Sequence, residues 1–254
     1  MSLLHKPERL AALLALLVLS GAGAPWRAGS AIAKPQLTLW AWERPEDLRF
    51  LNSDNVGVAF LAGSVYLNPQ PTERPRLQPL RVGEHTRVTA VVRLEITKST
   101  PAVFPDEYHN LLAEQIVRLA AVPQVSSIQI DFDATRSQQG FYRLLIGDVR
   151  GRMPASMQLS ITALGSWCMG DDWLSGLPIA EAVPMLFRMG PDRSAITQWL
   201  ARGKDFREPL CRSSVGVSTD EPWPAPLAAR HVYVFHPRAW DQESFAAVER
   251  RLAP

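Results

Sequence analysis

Cysteine is nearly missing from this chain: Cys168 and Cys211 are the only two. No C-x-x-C pair and no His/Cys cluster exists, which excludes a zinc ribbon or finger as the basis of folding. No glycine-rich loop follows the first apolar strand-like run, so a dinucleotide fingerprint is absent. No G-x-S-x-G elbow is found, which leaves a serine nucleophile of the hydrolase type unsupported. Excess charge of one sign is lacking as well: the formal net charge is +2, with acids and bases mixed along the chain. A nucleic-acid surface is therefore not expected. Repeats and low-complexity tracts are also absent.

The one long apolar run lies near the N-terminus. Lys6 and Arg9 precede an apolar stretch from Leu10 to Ala24, followed by small residues. This is the order of a basic head, an apolar middle and a cleavage region in a secretory signal. The run is short for a membrane span, which needs about 20 apolar residues. Ala22-Gly23-Ala24 would place Pro25 after the cut, so Ala31-Ile32-Ala33 is the better site. No Cys follows the run, so no lipoprotein anchor is indicated. Residues 1–33 are read as a signal peptide, the alternative being an uncleaved anchor. Residues 34–254 form the remaining domain, exported to the periplasm or the medium, with no membrane span after cleavage. Export permits a disulfide between Cys168 and Cys211; two buried free thiols are the other possibility.

The rest of the chain is composed like a globular protein and is close to the upper size of one domain. Eight strand-like runs fall at residues 36–43, 55–67, 87–96, 125–134, 157–167, 179–189, 214–221 and 231–237. Helical patterns fall at 108–122, 137–153, 194–203 and 241–253, with Leu111, Leu112, Ile116, Leu119 and Ala120 on one face of the first. Ser137 and Asp241 are candidate N-caps, and Gly203 a candidate C-terminal stop. Strands alternating with helices imply parallel pairing and right-handed crossovers. Eight such units close into an α/β, (β/α)₈ TIM-like barrel. The proline-rich segment 68–79 reads as a loop, so a barrel with one or two helices missing is expected. An open doubly wound sheet is the alternative.

In such a barrel, alternate side chains of each strand face the interior. Within "IQIDFDA", Ile128, Ile130 and Phe132 form an apolar set, and Gln129, Asp131 and Asp133 form the other. The second set should point inward and rise toward the C-terminal mouth, where barrel active sites are built. The same alternation puts Arg93 and Glu95 of the third strand in that interior. Carboxylates with separated pKa values are what glycosidic cleavage uses. A structural Arg93–Asp131 pair that merely neutralises charge is the competing explanation. Other strand ends add Trp40, Trp42 and Glu43, then Trp167, Arg188, Asp220 and Glu221. Flat aromatic faces suit sugar rings, so Trp40, Trp42 and Trp167 are candidate platforms, with Arg93 and Arg188 as charge tuners. Asp131, Asp133, Glu43 and Glu95 are the candidate catalytic acids. No metal or cofactor is expected, although Asp131, Asp133 and Glu95 would be the oxygen ligands of a metal-dependent hydrolase.

The strings "LWAWERPEDLRFL", "VGVAFLAG", "QIDFDATRS", "LSITALGSWCMGDDW", "VPMLFRMG" and "STDEPW" resemble a family of exported bacterial proteins built on a domain of unknown function. The resemblance covers about residues 36–240 and implies a TIM barrel akin to glycoside hydrolases, without a defined activity. A looser likeness is to chitinase-type barrels, whose fourth strand ends D-x-D-x-E. Aligning Asp131 and Asp133 with the two aspartates puts Thr135 at the acid position. Sliding by two puts Asp133 there, behind Gln129 and Asp131. The sequence thus suggests an exported carbohydrate-active hydrolase. Its rival is a non-catalytic barrel that binds envelope glycan or a partner protein.

Overall fold

In the computed structural model the described residues are 37–51, 55–224 and 230–253. The signal peptide expected over residues 1–33 lies outside them. Eight parallel strands carry the fold: β1 Leu37–Ala41, β2 Val56–Tyr66, β3 Val88–Glu95, β4 Val125–Asp131, β5 Gln158–Leu164, β6 Glu181–Met185, β7 Ser214–Ser218 and β8 His231–Phe235. Each pairs with its neighbour in chain order, and β1 pairs with both β2 and β8, so the sheet closes on itself. The ring is an α/β, TIM-like barrel. Strands of such a ring are covered on both faces, which is why β1 and β7 are buried at every position.

Four α-helices pack outside: α1 Tyr108–Ala120, α2 Gln139–Arg152, α3 Arg193–Ala201 and α4 Gln242–Leu252. Among the described residues they follow only β3, β4, β6 and β8, so the reduction goes further than one or two missing helices. The β5–β6 connection makes two 3₁₀ turns, Trp167–Met169 and Asp172–Leu174, in place of a helix. On α1 the buried face holds Leu112, Ala113, Ile116, Leu119 and Ala120. Leu111 lies a step of about 100° away around the helix and is 45% exposed, so it does not share that face. Nor is Ser137 the cap of α2. A 3₁₀ turn over Arg136–Gln138 comes first, capped reciprocally by Thr135 and Gln138. Asp241 does cap α4, accepting from the Ser244 N–H at 2.8 Å, and Gly203 adopts φ 72° just past α3.

Within the expected 68–79 loop, Thr72–Pro75 forms a short antiparallel strand on β2. β2 is 11 residues long and outruns β1, which pairs only as far as Phe60. The returning chain supplies partners for the backbone groups left over, and the Arg76 N–H continues to the Ala62 carbonyl at 2.8 Å. A second small pairing joins Glu46–Asp47 to Leu80–Arg81.

Cys168 and Cys211 are joined in a disulfide with Cα atoms 5.8 Å apart. It ties the turn after β5 to the segment entering β7, closing a loop across 43 positions of sequence. Of the two readings of these cysteines, the disulfide is the one the fold adopts.

The apolar core splits in two. The larger part lies between strands and helices. The smaller lies inside the ring and holds Trp40, Ala59, Val91, Val183 and Tyr233. Gly216 makes room for it: a Cβ there would stand 2.8 Å from the Trp40 indole. The glycine in "SVGVS" thus lets the large ring cross the lumen.

Candidate active site at the mouth of the barrel

The interior is layered, as the alternation of side chains requires. At the lower end, Thr38 Oγ1 meets His231 Nε2 at 2.8 Å, Thr89 meets Ser127 at 2.7 Å, and the Tyr233 hydroxyl donates to Glu181 at 2.9 Å. Above them the Trp40 Nε1–H donates to the Gln129 carbonyl oxygen at 2.8 Å. Trp40 is only 3% exposed, so it forms the floor of the mouth.

On that floor stands the carboxylate group read from "IQIDFDA". Asp131 is 3% exposed, accepting from Arg93 Nη1 at 3.0 Å on one oxygen and from the Thr162 hydroxyl at 2.7 Å on the other. Arg93 also donates through Nε to Glu95 at 2.7 Å. One guanidinium therefore bridges two acids. Burial works against its charge, yet Asp131 and Glu95 together hold its pKa above the usual arginine value. Arg93 meets Asp131 in the interior as the strand alternation requires, and the neutralising pair is present; Glu95, partly exposed at the end of β3, reaches Arg93 but does not line the cleft.

Asp133 differs. It sits two residues further up the chain, past the end of β4, exposed to solvent within the mouth. No described residue donates a hydrogen bond to it. Its pKa is raised, first because the concave wall strips away solvation, then by the charge of Asp131 and, less strongly, of Glu95; Arg93 opposes the shift. Exposure and desolvation are compatible here: the residue is open to solvent, but the surrounding wall displaces much of the bulk water.

Asp131 and Asp133 line a cleft of about 330 Å³, at the small end of the range for small-molecule sites. Its walls are aromatic. Phe187 and Phe235 lie parallel, centroids 5.8 Å apart and planes 6° apart. Trp42 meets Phe235 edge-on at 6.1 Å and has the Arg93 guanidinium 5.8 Å from its ring. Arg188, at the lip, lies over Phe235 at 5.2 Å.

The remaining predicted residues fall elsewhere. Glu43 accepts from the Leu77 N–H at 3.3 Å and does not line the cleft. Trp167 is 4% exposed and packs edge-on against Trp173 at 4.9 Å. Strand β5 has ended before it, and the 3₁₀ turn carries its ring to the helix side, so it offers no face to the cleft. Asp220 and Glu221 stand behind the lip and hold it. Glu221 pairs with Arg193 and accepts the Arg188 backbone N–H at 3.0 Å. Asp220 takes the Ser218 hydroxyl, which with Arg188 and His236 holds its pKa below the ordinary value. Sequence reading passed over Thr162, Asp192, Phe187 and Phe235, all on the cleft wall. Thr162 sits in the inward register of β5, two past Ser160, and could have been found by the period of two. The two phenylalanines look like ordinary core residues in the sequence. Among the described residues, no group of three His, Cys, Asp or Glu side chains is gathered to hold a metal ion, and no helix is long and apolar enough to cross a membrane.

No protein-family model matches the chain, and no curated protein matches it. Among solved structures it is similar to the Bacillus cereus spore cortex-lytic enzyme SleL, with 11% identity and a TM-score of 0.43 over 74% of this chain and 51% of that one. The chain thus spans about half the length of SleL. That likeness is too slight to speak to activity, and the barrel stands on its own strand pairing.

Proposed function

We propose that this protein is an exported carbohydrate-active hydrolase acting at the C-terminal mouth of the barrel. The observation that carries the reading is the unlike state of two neighbouring acids in one aromatic-walled cleft. Asp131 is buried and tied on both oxygens, while Asp133 is solvent-reached, has no hydrogen-bond donor among the described residues and has a raised pKa. Pairs of carboxyl groups whose environments differ in this way divide the work of glycosidic cleavage. Asp133 keeps its proton to higher pH and donates it to the departing glycosidic oxygen. Asp131, oriented by Arg93 and Thr162, faces the positive charge that develops on the sugar. Water then adds to the sugar, and its proton returns to Asp133. This corresponds to the alignment in which Asp133 takes the acid position of the chitinase-type pattern, one methylene shorter than Glu. Trp42, Phe187 and Phe235 supply faces for the sugar ring. Export is part of the proposal. It rests on the Lys6/Arg9 head and apolar run of residues 1–33, and the Cys168–Cys211 disulfide suits an oxidising compartment.

The test is hydrolysis across a panel of glycans by wild type and Asp133→Asn. Loss of a general acid should lower the rate by about 10²-fold or more, with binding retained. Hydrolysis unchanged by that substitution would remove the proposed acid.

A second reading has one observation in its favour. Arg93 neutralises both Asp131 and Glu95, which would suit a barrel that binds envelope glycan without cutting it. It predicts saturable glycan binding in the cleft and no products.

A further inference from the structure

Two arginines line the cleft, and they are used differently. Arg93 spends its donors on Asp131 and Glu95. Arg188 does not. Its side chain is 59% exposed, and its guanidinium makes no hydrogen bond to any described residue. The nearest carboxylate, Asp220, stands 3.9 Å from Nη2 and already accepts from Ser218. Yet the group is not loose. Phe187 and Phe235 are stacked beneath it, 6.0 and 5.2 Å from Cζ to the ring centroids, which fixes the guanidinium by cation–π contact.

The backbone shows the same investment. Arg188 has φ 52°, a left-handed conformation that a non-glycine residue adopts at a cost of order 1 kcal/mol or more. Glu221 holds it there by accepting the Arg188 N–H at 3.0 Å, and is itself paired with Arg193. Strain of this kind, held by its surroundings at the lip of a cleft, is a mark of a functional position. A planar fork of N–H donors, positioned and unspent, matches a planar carboxylate in bidentate fashion. Asp220, 3.9 Å from Nη2, already sets a negative charge beside the fork, so a dianion such as phosphate would meet about twice the repulsion that a carboxylate meets.

We infer that Arg188 forms a subsite for the carboxylate of an acidic sugar, so that the glycan handled by this cleft carries a carboxylate next to the ring seated on Phe187 and Phe235. The inference rests on the hydrolase reading for its sugar but not for its binding chemistry. It specifies what that reading leaves open, the class of glycan. Sugars that carry such a group include a uronate and a lactyl-ether sugar of the muramic type.

The test titrates the full-length protein with glucuronate, glucuronate methyl ester, N-acetylmuramate, N-acetylglucosamine and glucose 6-phosphate, followed by cleft tryptophan fluorescence and by the Arg188 Nε–H resonance. At least one carboxylate sugar should bind about tenfold more tightly than its neutral counterpart, as a charge-assisted bidentate pair provides, and the preference should weaken with salt. Which of the two does so identifies the source of the carboxylate. Arg188→Gln should abolish the preference, while Arg207→Gln, whose guanidinium lies over Trp199 and does not line the cleft, should keep it. Asp220→Asn, which removes the competing acid, should strengthen it, and this arm stands even if Arg188→Gln fails to fold. Equal binding of acid and neutral sugars, no binding of any, tighter binding of the phosphate, or a preference that survives Arg188→Gln would each overturn the inference. Asp133→Asn separates the two claims: it should leave the carboxylate preference intact. A preference found without any glycan cleavage would sink the hydrolase reading and leave this subsite standing.

Discussion

The lower and upper ends of the barrel interior use the same structural rule for opposite ends. Both are built from inward-facing positions of the same strands, and both hold acids. At the lower end Glu181 is 2% exposed and is met by the Tyr233 hydroxyl, with Ser213 3.3 Å from its other oxygen. That end is closed. At the mouth Asp131 is equally enclosed, but Asp133, two residues on, faces solvent with a raised pKa, and Arg188 holds donors unspent. A buried carboxylate is tolerable only when paired, because its desolvation costs several kcal/mol. The mouth departs from full pairing only where water and substrate have access. The difference therefore teaches which polar groups serve the fold and which are left for a ligand.

Substitutions can break that contrast, and the largest effect is expected at the closed end. Glu181→Ala leaves the Tyr233 hydroxyl buried without this acceptor and opens a void. About 3 kcal/mol of stability should be lost, lowering Tm by roughly 6–12 °C for a domain of this size, with glycan turnover retained at low temperature. Thermal unfolding beside an activity assay checks it. Arg93→Lys tests the bridge in between. A lysine cannot span Asp131 and Glu95 with a planar fork, so a cost of about 1–2 kcal/mol is expected, together with slower turnover through a misplaced Asp131. Urea unfolding and kcat, measured on the same variant, separate the two effects.

The smallest effect lies at the open end and depends on pH. Asp133 has a folded-state pKa above its ordinary 3.8, so the folded state holds that proton more tightly than the unfolded chain. Its stabilising contribution is complete below pH 3.8 and is lost as pH rises through the folded value. Asp133→Asn should consequently match wild type at low pH and be the more stable of the two near neutrality, by less than about 0.5 kcal/mol because the side chain is solvent-exposed. Turnover by wild type should fall over the same rise in pH as the acid loses its proton. A rate that climbs through that range would assign Asp133 the role of base instead.

Much of this was legible in the sequence. Parallel barrel strands are buried on both faces, so they appear as short apolar runs bounded by turn residues, and all eight were found in that way. The period of two brings Asp131 and Arg93 to one interior, with Glu95 reaching Arg93 from the strand end. What was not legible depends on geometry beyond the strand. Trp167 and Glu43 follow the ends of β5 and β1, where alternation no longer governs direction. Phe187 and Phe235 form an aromatic wall of the cleft, yet nothing in their type separates a cleft aromatic from a core one. The Cys168–Cys211 pairing needed Cα positions. The short strand Thr72–Pro75 forms because β2 outruns β1, a mismatch of lengths that proline content concealed.

The most direct measurement of the central claim is a crystal structure of the Asp133→Asn protein soaked with a glycan that the wild type cleaves. The account predicts a sugar ring against Phe187 and Phe235, with the glycosidic oxygen within hydrogen-bond distance of residue 133 and Asp131 still bound by Arg93 and Thr162. A glycan seated anywhere other than the mouth, or one whose scissile oxygen lies beyond the reach of residue 133, would contradict it.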